Sequence, residues 1–242
     1  MRQKMKKQRT NQNHLQHVSA CRKQQWKPGN MVYPVPAVMV TVADKEGRDN
    51  IITVAWTGTV CTNPPMVYIS VRPERYSYHM IQETGEFVIN LTTRELAYAT
   101  DYCGVTSGRQ TDKFETLKLT RQNASKVNPP LIGESPVNIE CRVTQCLKLG
   151  SHDMFLAEVV SVHISEQYMD QNGKFHLEKA QPMVYSHGAY YGLDHVLGTF
   201  GYSVQKDSSF AHRRSNKPSE SKKQKNREKK SKNSGRYRKK VL

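Results

Sequence analysis

The chain has 242 residues, enough for one or at most two domains with a real apolar core, which sets aside a small disulfide-stapled scaffold. Its 37 Lys and Arg against 21 Asp and Glu give a net charge of +16, which by itself points to an anionic partner such as nucleic acid. The excess is confined to the ends: residues 1–29 carry eight basic residues and no acid, residues 206–242 carry fifteen basic and three acidic, and residues 30–205 carry 14 basic against 18 acidic.

Residues 1–25 are rich in Gln, Asn and Lys without apolar periodicity and read as a disordered basic extension. No apolar stretch follows the basic start, which excludes a secretory signal. An acid-free leader also fits an organellar transit peptide, although Gln and Asn stand where Ser and Ala are usual, and a misassigned start codon fits as well. No run approaches the ~20 apolar residues of a membrane span. Cys21, Cys61, Cys103, Cys141 and Cys146 form an odd set without a C-x-x-C pair, as expected of reduced thiols in a cytoplasmic protein.

From residue 26 the pattern becomes that of a folded β domain. Val35 to Ala43, Asn50 to Val60, Met66 to Arg72, Glu86 to Leu91, Val137 to Leu149 and Met154 to Ile164 are rich in β-branched and aromatic residues and bounded by turn chemistry. Asp44 to Asn50, with Gly47, and Leu149 to Met154 read as hairpin loops. Two short helices fit between strands: Tyr76 to Thr84, and Thr92 to Tyr102, the latter opened by a capping box linking Thr92 to Glu95. Cys141 and Cys146 have opposite parity on one strand, so they face opposite sides and cannot jointly hold a metal without distortion. Six strands joined mostly by short loops favour an antiparallel barrel or sandwich over a parallel α/β sheet.

Residues 207–242 form a second disordered tail, rich in Lys and Arg, with only Phe210 and Tyr237 to stack on a base. Two readings fit these ends: a tether to nucleic acid or another anionic surface, and a solubilising extension. No HExxH, P-loop, GxGxxG or paired-carboxylate spacing argues for hydrolase chemistry or a Rossmann site.

The stretch Ser70-Val71-Arg72-Pro73-Glu74-Arg75-Tyr76-Ser77 sets two guanidinium groups and hydroxyls between a strand end and a helix start. Backbone N–H groups at a helix start and bidentate arginines suit a phosphate. Equally, Ser77 would cap the helix while Arg72 and Arg75 pair with neighbouring acids.

Four longer blocks bear on that choice: Lys27 to Val42, Asn50 to Ser77, Asp101 to Phe114 and Tyr185 to Ser203. In this order and spacing they resemble the flavin reductase-like, FMN-binding split-barrel family, in particular its flavoredoxin-type branch, over residues 26–206. The resemblance implies a mainly β fold, a six-stranded antiparallel split barrel with short helical inserts, assembled as a homodimer and holding FMN in preference to FAD or riboflavin. It implies that Thr53, Val54, Ala55 and Trp56 line the flavin ring, with Cys61, Thr62 and Asn63 as the adjoining loop. Ser70, Arg72, Arg75 and Ser77 would then hold ribityl and phosphate oxygens, and Ser107, Gly108 and Lys113 would close the site. His187, Tyr190 and Tyr191 would approach on the nicotinamide side, from this chain or its partner. Trp56 as plain core, His187 as a surface histidine, Lys113 as a solvated charge and the two tyrosines as packing are the competing readings.

The activity this implies is hydride transfer from NAD(P)H to flavin, with no catalytic side chain required because the chemistry belongs to the cofactor. A flavoredoxin-like electron carrier with tightly held FMN and a protein electron-transfer partner is the near alternative. A nucleic-acid-associated protein acting through its tails is the distant one.

Overall fold

The computed structural model describes residues 20–204, so of the extensions expected to be disordered, residues 1–19 and all of 207–242 lie outside the described residues. The first strands are β1 (Val35–Pro36), β2 (Val38–Ala43), β3 (Asp49–Val54), β4 (Thr57–Cys61) and β5 (Met66–Val71). Helix α1 (Tyr76–Thr84) leads to β6 (Glu86–Asn90), followed by α2 (Ala97–Val105) and α3 (Lys113–Leu117). Two short strands, β7 (Arg121–Gln122) and β8 (Leu131–Ile132), precede the long hairpin of β9 (Val137–Lys148) and β10 (Asp153–Ile164). A second hairpin, β11 (Met183–Ser186) and β12 (Ala189–Gly192), ends the compact unit at Gly192, and residues 193–204 belong to a second unit.

Seven strands, one more than expected, form the main antiparallel sheet in the order β3-β2-β6-β9-β10-β5-β4. The expected strand from Asn50 to Val60 is interrupted at Ala55 and Trp56, and its two halves lie on opposite edges of the sheet. A flat sheet with six gaps of ~4.8 Å would be roughly 29 Å wide, whereas a two-residue link spans at most about 11 Å. The sheet must therefore curl into a barrel, open along the seam where β3 passes into β4. The backbone N–H of Ser70 donates to Trp56 O at 2.8 Å and Thr57 Oγ1 donates to Tyr68 O at 2.8 Å, pinning this corner to β5.

Val38, Val40, Val42, Ile52 and Val54 point into the barrel with Ile69, Phe87 and Phe155, and the Tyr78–Ile81 face of α1 seals it. Ile69 and Phe155 are at most 1% exposed, and each such side chain contributes about 1.5–3 kcal/mol on burial. The alternate residues Met39 and Ile51 face outward, where Leu96, Ala99, Cys103 and Phe114 of the α2 and α3 region cover them. Both faces of β2 and β3 are thus buried, as their near-continuous apolar runs require.

Helix α1 has the expected bounds and ends at Gly85, whose φ of 69° and N–H bond to Ile81 O make a left-handed cap. The capping box does not form. Thr92 is buried and its hydroxyl donates to the Ala37 carbonyl, left open where the expected Val35–Ala43 strand breaks, so α2 starts only at Ala97. Cys141 is buried and Cys146 exposed, but the expected opposite facing is undone by a register shift at Thr144: Cys141 lies opposite Val159 and Cys146 opposite Phe155, residues of like parity on β10. No helix among the described residues is long and apolar enough to cross a membrane.

Candidate flavin site

Two adjoining hollows open at the seam. The first, about 160 Å³, is lined by Ile52 to Trp56, Ser70 to Arg72, Arg75 and His152. The second, about 280 Å³, is lined by Asn50, Ile52, Arg72, Glu74, Arg75, Tyr76, Ser77, Cys103, Thr106, Ser107, Gly108 and Lys113. Ile52, Arg72 and Arg75 belong to both, so the two arginines stand where the hollows meet. Barrel closure explains the meeting: it brings the end of β3 beside the end of β5, and the chain leaving β5 supplies both guanidinium groups before turning into α1.

The second hollow gathers positive charge. Lys113 is 4% exposed, yet no described carboxylate pairs with it; its ammonium donates to Ile51 O at 2.5 Å and Cys103 O at 3.0 Å. An ammonium carries three donors, so one remains. Burial pushes its pKa down to about 8, the Cys103 thiol opposes that fall, and Arg75 adds to it. Among the described residues Arg75 has no acidic partner either: its Nη1 donates to Gly104 O at 3.4 Å. Arg72 instead pairs with Glu74 at 2.6 Å, so the acid-pairing alternative holds for one arginine of the two.

Ser77 does not cap α1. The cap position is Arg75, without a side-chain bond, and the buried Ser77 hydroxyl accepts from Asn50 Nδ2 at 2.8 Å. Asn50 in turn fills the space beside Gly108, where an added Cβ would lie 2.2 Å from Asn50 Oδ1. The loop can therefore approach the hollow only with glycine at this position. Asp112 caps α3 by accepting from Glu115 N, and Arg121 holds Asp112 and Asp49 at 2.7 Å each while its guanidinium lies 4.4 Å from the Phe114 ring centroid. The segments bearing Lys113 and Asn50 are thereby tied together.

An aromatic cluster flanks the first hollow. Trp56 lies 6.1 Å from Tyr33 between ring centroids, and Tyr33 lies 4.3 Å from His187 and 6.2 Å from Tyr185. His187 and Gly188, both with positive φ, form the tight turn between β11 and β12. Tyr190 packs on Tyr185 and donates to Asp101 Oδ1 at 3.2 Å; burial first, then Asp101, push its phenol up to about 12. Tyr191, on the same strand, is more than half exposed.

The family model described as "Flavin reductase like domain" matches residues 30–194. The chain belongs to that family. Among solved structures, the flavoredoxin of Desulfovibrio vulgaris (Miyazaki F) is similar with a TM-score of 0.71 and 29% identity, covering 76% of this chain and 100% of that one. The flavoredoxin from Methanosarcina acetivorans gives a TM-score of 0.68 at 27% identity over the same shares. An uncharacterized protein of Archaeoglobus fulgidus is 31% identical over 139 residues, 57% of this chain and 77% of its own length. The split-barrel fold and a flavin-related oxidoreductase character follow from this membership.

Within this flavin reductase-like chain, the closed seam gathers Thr53, Val54, Ala55, Trp56, Ser70, Arg72 and Arg75 around one hollow and Ser77, Ser107, Gly108 and Lys113 around the other. Cys61, Thr62 and Asn63 line neither, because β4 runs away from the corner: Cys61 is five residues past Trp56, roughly 16 Å along the strand. His187 and Tyr190 reach the site's flank through Tyr33 and Tyr185 of the same chain, not by lining the hollows. Asn50, Tyr33 and His152 were not legible as site residues. Asn50 looks like turn chemistry, Tyr33 precedes the first strand, and His152 sits in a hairpin loop, so only the closed barrel joins them to the rest.

The donor set fits a flavin monophosphate. Lys113 and Arg75 supply positive charge without a described acidic partner, Arg72 adds a guanidinium shared with Glu74, Asn50 fixes Ser77, and beyond the arginines the wall becomes backbone and an indole ring suited to a flat heterocycle.

Proposed function

We propose that this protein binds FMN along the seam, phosphate toward Lys113 and Arg75 and ring toward residues 53–56, and reduces it with a nicotinamide donor. The supporting observation is Lys113, a buried ammonium without a counter-ion in a hollow shared with two arginines. Keeping such a charge unpaired is costly, and an anionic ligand offsets that cost. When bound, a flavin supplies hydride acceptance at its ring N5. The protein's part is to bind and orient: Lys113 and Arg75 fix the phosphate end, backbone at 53–55 presents polar groups to the ring edge, and Tyr33, Trp56 and His187 wall off the nicotinamide side. No side chain here needs to move a proton for hydride transfer.

The test is NADH and NADPH oxidation followed at 340 nm with and without added FMN. Flavin-dependent turnover supports the reductase. FMN that stays on the protein through gel filtration while nicotinamide oxidation is slow supports an electron carrier, a reading favoured by the similarity to two flavoredoxins. No flavin uptake and no turnover would reject both. A homodimer, read as twice the 27.7 kDa chain mass by light scattering, and a cytoplasmic location belong to the same proposal.

A further inference from the structure

His152 lines the first hollow with Trp56, Ser70, Arg72 and Arg75. It stands in the four-residue link between β9 and β10, and that link is built rather than loose. The N–H of Leu149 donates to His152 O at 3.1 Å, the next residue, Asp153, is 4% exposed, and Tyr78 of α1 donates to Asp153 Oδ2 at 2.5 Å. The ring Nδ1 is 3.0 Å from Ser151 Oγ, which leaves Nε2 as the nitrogen open to a ligand among the described residues. Lys113 lines one hollow, His152 the other, and the two arginines line both. An anion seated between the arginines therefore has the lysine on one side and the imidazole on the other.

We propose that His152 is a phosphate-responsive residue: it takes up a proton when the flavin phosphate settles at Arg72 and Arg75, so FMN binding tightens as pH falls while riboflavin binding does not. This rests on the flavin reading above. The charged groups facing His152 are Arg72, Arg75 and Glu74, and Glu74 is already paired with Arg72; Asp153 beside it is engaged by Tyr78. Without an anion, burial pushes the imidazole below the ordinary histidine range, with Arg72 and Arg75 pushing the same way and Glu74 opposing. A phosphate dianion reverses the local field. The proton comes from solvent and lands on Nε2, and because the anion prefers the protonated form, affinity must rise with falling pH between the free and bound pKa values.

The experiment is a titration of the full chain with FMN and with riboflavin, followed by flavin fluorescence, from pH 8 to 6, for wild type, His152→Asn and His152→Lys. The phosphate itself protonates near pH ~6, an effect that the asparagine variant shares. In wild type the FMN-to-riboflavin affinity ratio should rise roughly three- to tenfold from pH 8 to 6.5, one coupled proton permitting at most about tenfold per pH unit. The ratio should be low in His152→Asn and high in His152→Lys, whose charge is permanent over this range, and both variants should keep only the shallower slope that Lys113 and the phosphate impart. Superimposable wild-type and asparagine profiles, or a riboflavin profile with the same slope as FMN, would overturn the proposal. If that occurs while Arg75→Ala still weakens FMN selectively, only the role of His152 fails; if wild type binds neither flavin, the flavin reading fails with it.

Discussion

Replacing Lys113 by Met keeps an unbranched four-atom stem and removes the ammonium. The lysine falls from an ordinary 10.5 to about 8 on folding, so keeping it protonated at pH 7 costs the flavin-free protein about 3 kcal/mol, at about 1.4 kcal/mol per pH unit. The variant escapes that cost but leaves the carbonyls of Ile51 and Cys103 without their donor, at about 1–3 kcal/mol for a buried group. The two effects nearly cancel, and flavin-free stability at pH 7 should stay close to wild type. Affinity should not: loss of one charge-assisted bond of about 1.5–3 kcal/mol weakens FMN roughly 10- to 150-fold and riboflavin far less. The pH dependence has a definite sign. Between about 8 and 10.5 the unfolded chain holds a proton that the folded chain has released, so wild-type stability climbs across that window and the variant's does not. Taking the difference between the two proteins removes tyrosines and cysteines that ionise in the same range. Denaturant melts at pH 7, 8.5 and 10, with flavin titrations at pH 7, read all of this. Equal FMN affinity, an equal loss for riboflavin, or parallel pH curves would refute the reasoning.

Gly108→Ala forces a methyl group to within 2.2 Å of Asn50 Oδ1, so Asn50 must release Ser77; FMN affinity should drop at least tenfold in a fluorescence titration, by loss of about 1.5 kcal/mol or more. Arg121→Ala removes the bridge from Asp49 to Asp112 and uncovers the Phe114 ring, and should weaken FMN several-fold while lowering Tm, with Lys restoring part of each. Glu140→Gln acts elsewhere: the carboxylate is fully buried and accepts from the backbone N–H groups of Ser125, Lys126 and Val127 and from His163. Burial pushes its pKa up, but these donors hold it below the usual range, so it stabilises the fold above the unfolded-state value and that stability is lost as pH falls through the folded value. The substitution should cost about 3 kcal/mol, roughly 6–12 °C in Tm at pH 7, and leave FMN affinity unchanged.

The strands and α1 were legible because their signals are local: alternation or continuous β-branched runs bounded by turns, and a helix stopped by Gly85. The interruption at Ala55 and Trp56 was not, since NIITVAWTGTV runs through these two residues without turn chemistry and only closure of the seven-stranded sheet separates its halves. The Thr92 cap signal was real but lost to a distant competitor, the Ala37 carbonyl. At the site, Arg72, Arg75, Ser77 and Lys113 were marked by the resemblance, but the property that makes Lys113 informative, burial without a counter-ion, has no sequence signature. His152 shows the limit most clearly, because a histidine in a hairpin loop becomes a site residue only when β10 pairs with β5 and brings the loop beside Arg72.

The charge excess also changes meaning in the fold. The basic groups that matter for the site number three, Arg72, Arg75 and Lys113, in a domain region whose acids outnumber its bases, whereas the excess itself lies mainly in residues 1–29 and 206–242. Deleting residues 1–19 and 205–242 separates the two contributions: flavin binding belongs to the domain and should survive, and any nucleic-acid affinity should disappear.

The most direct test is the visible spectrum of the purified protein after incubation with FMN and removal of free flavin. The account predicts bands near ~370 and ~450 nm at one flavin per chain, with Arg75→Ala/Lys113→Met retaining little of the FMN. A protein that remains colourless, or a double variant that retains FMN as wild type does, would contradict it.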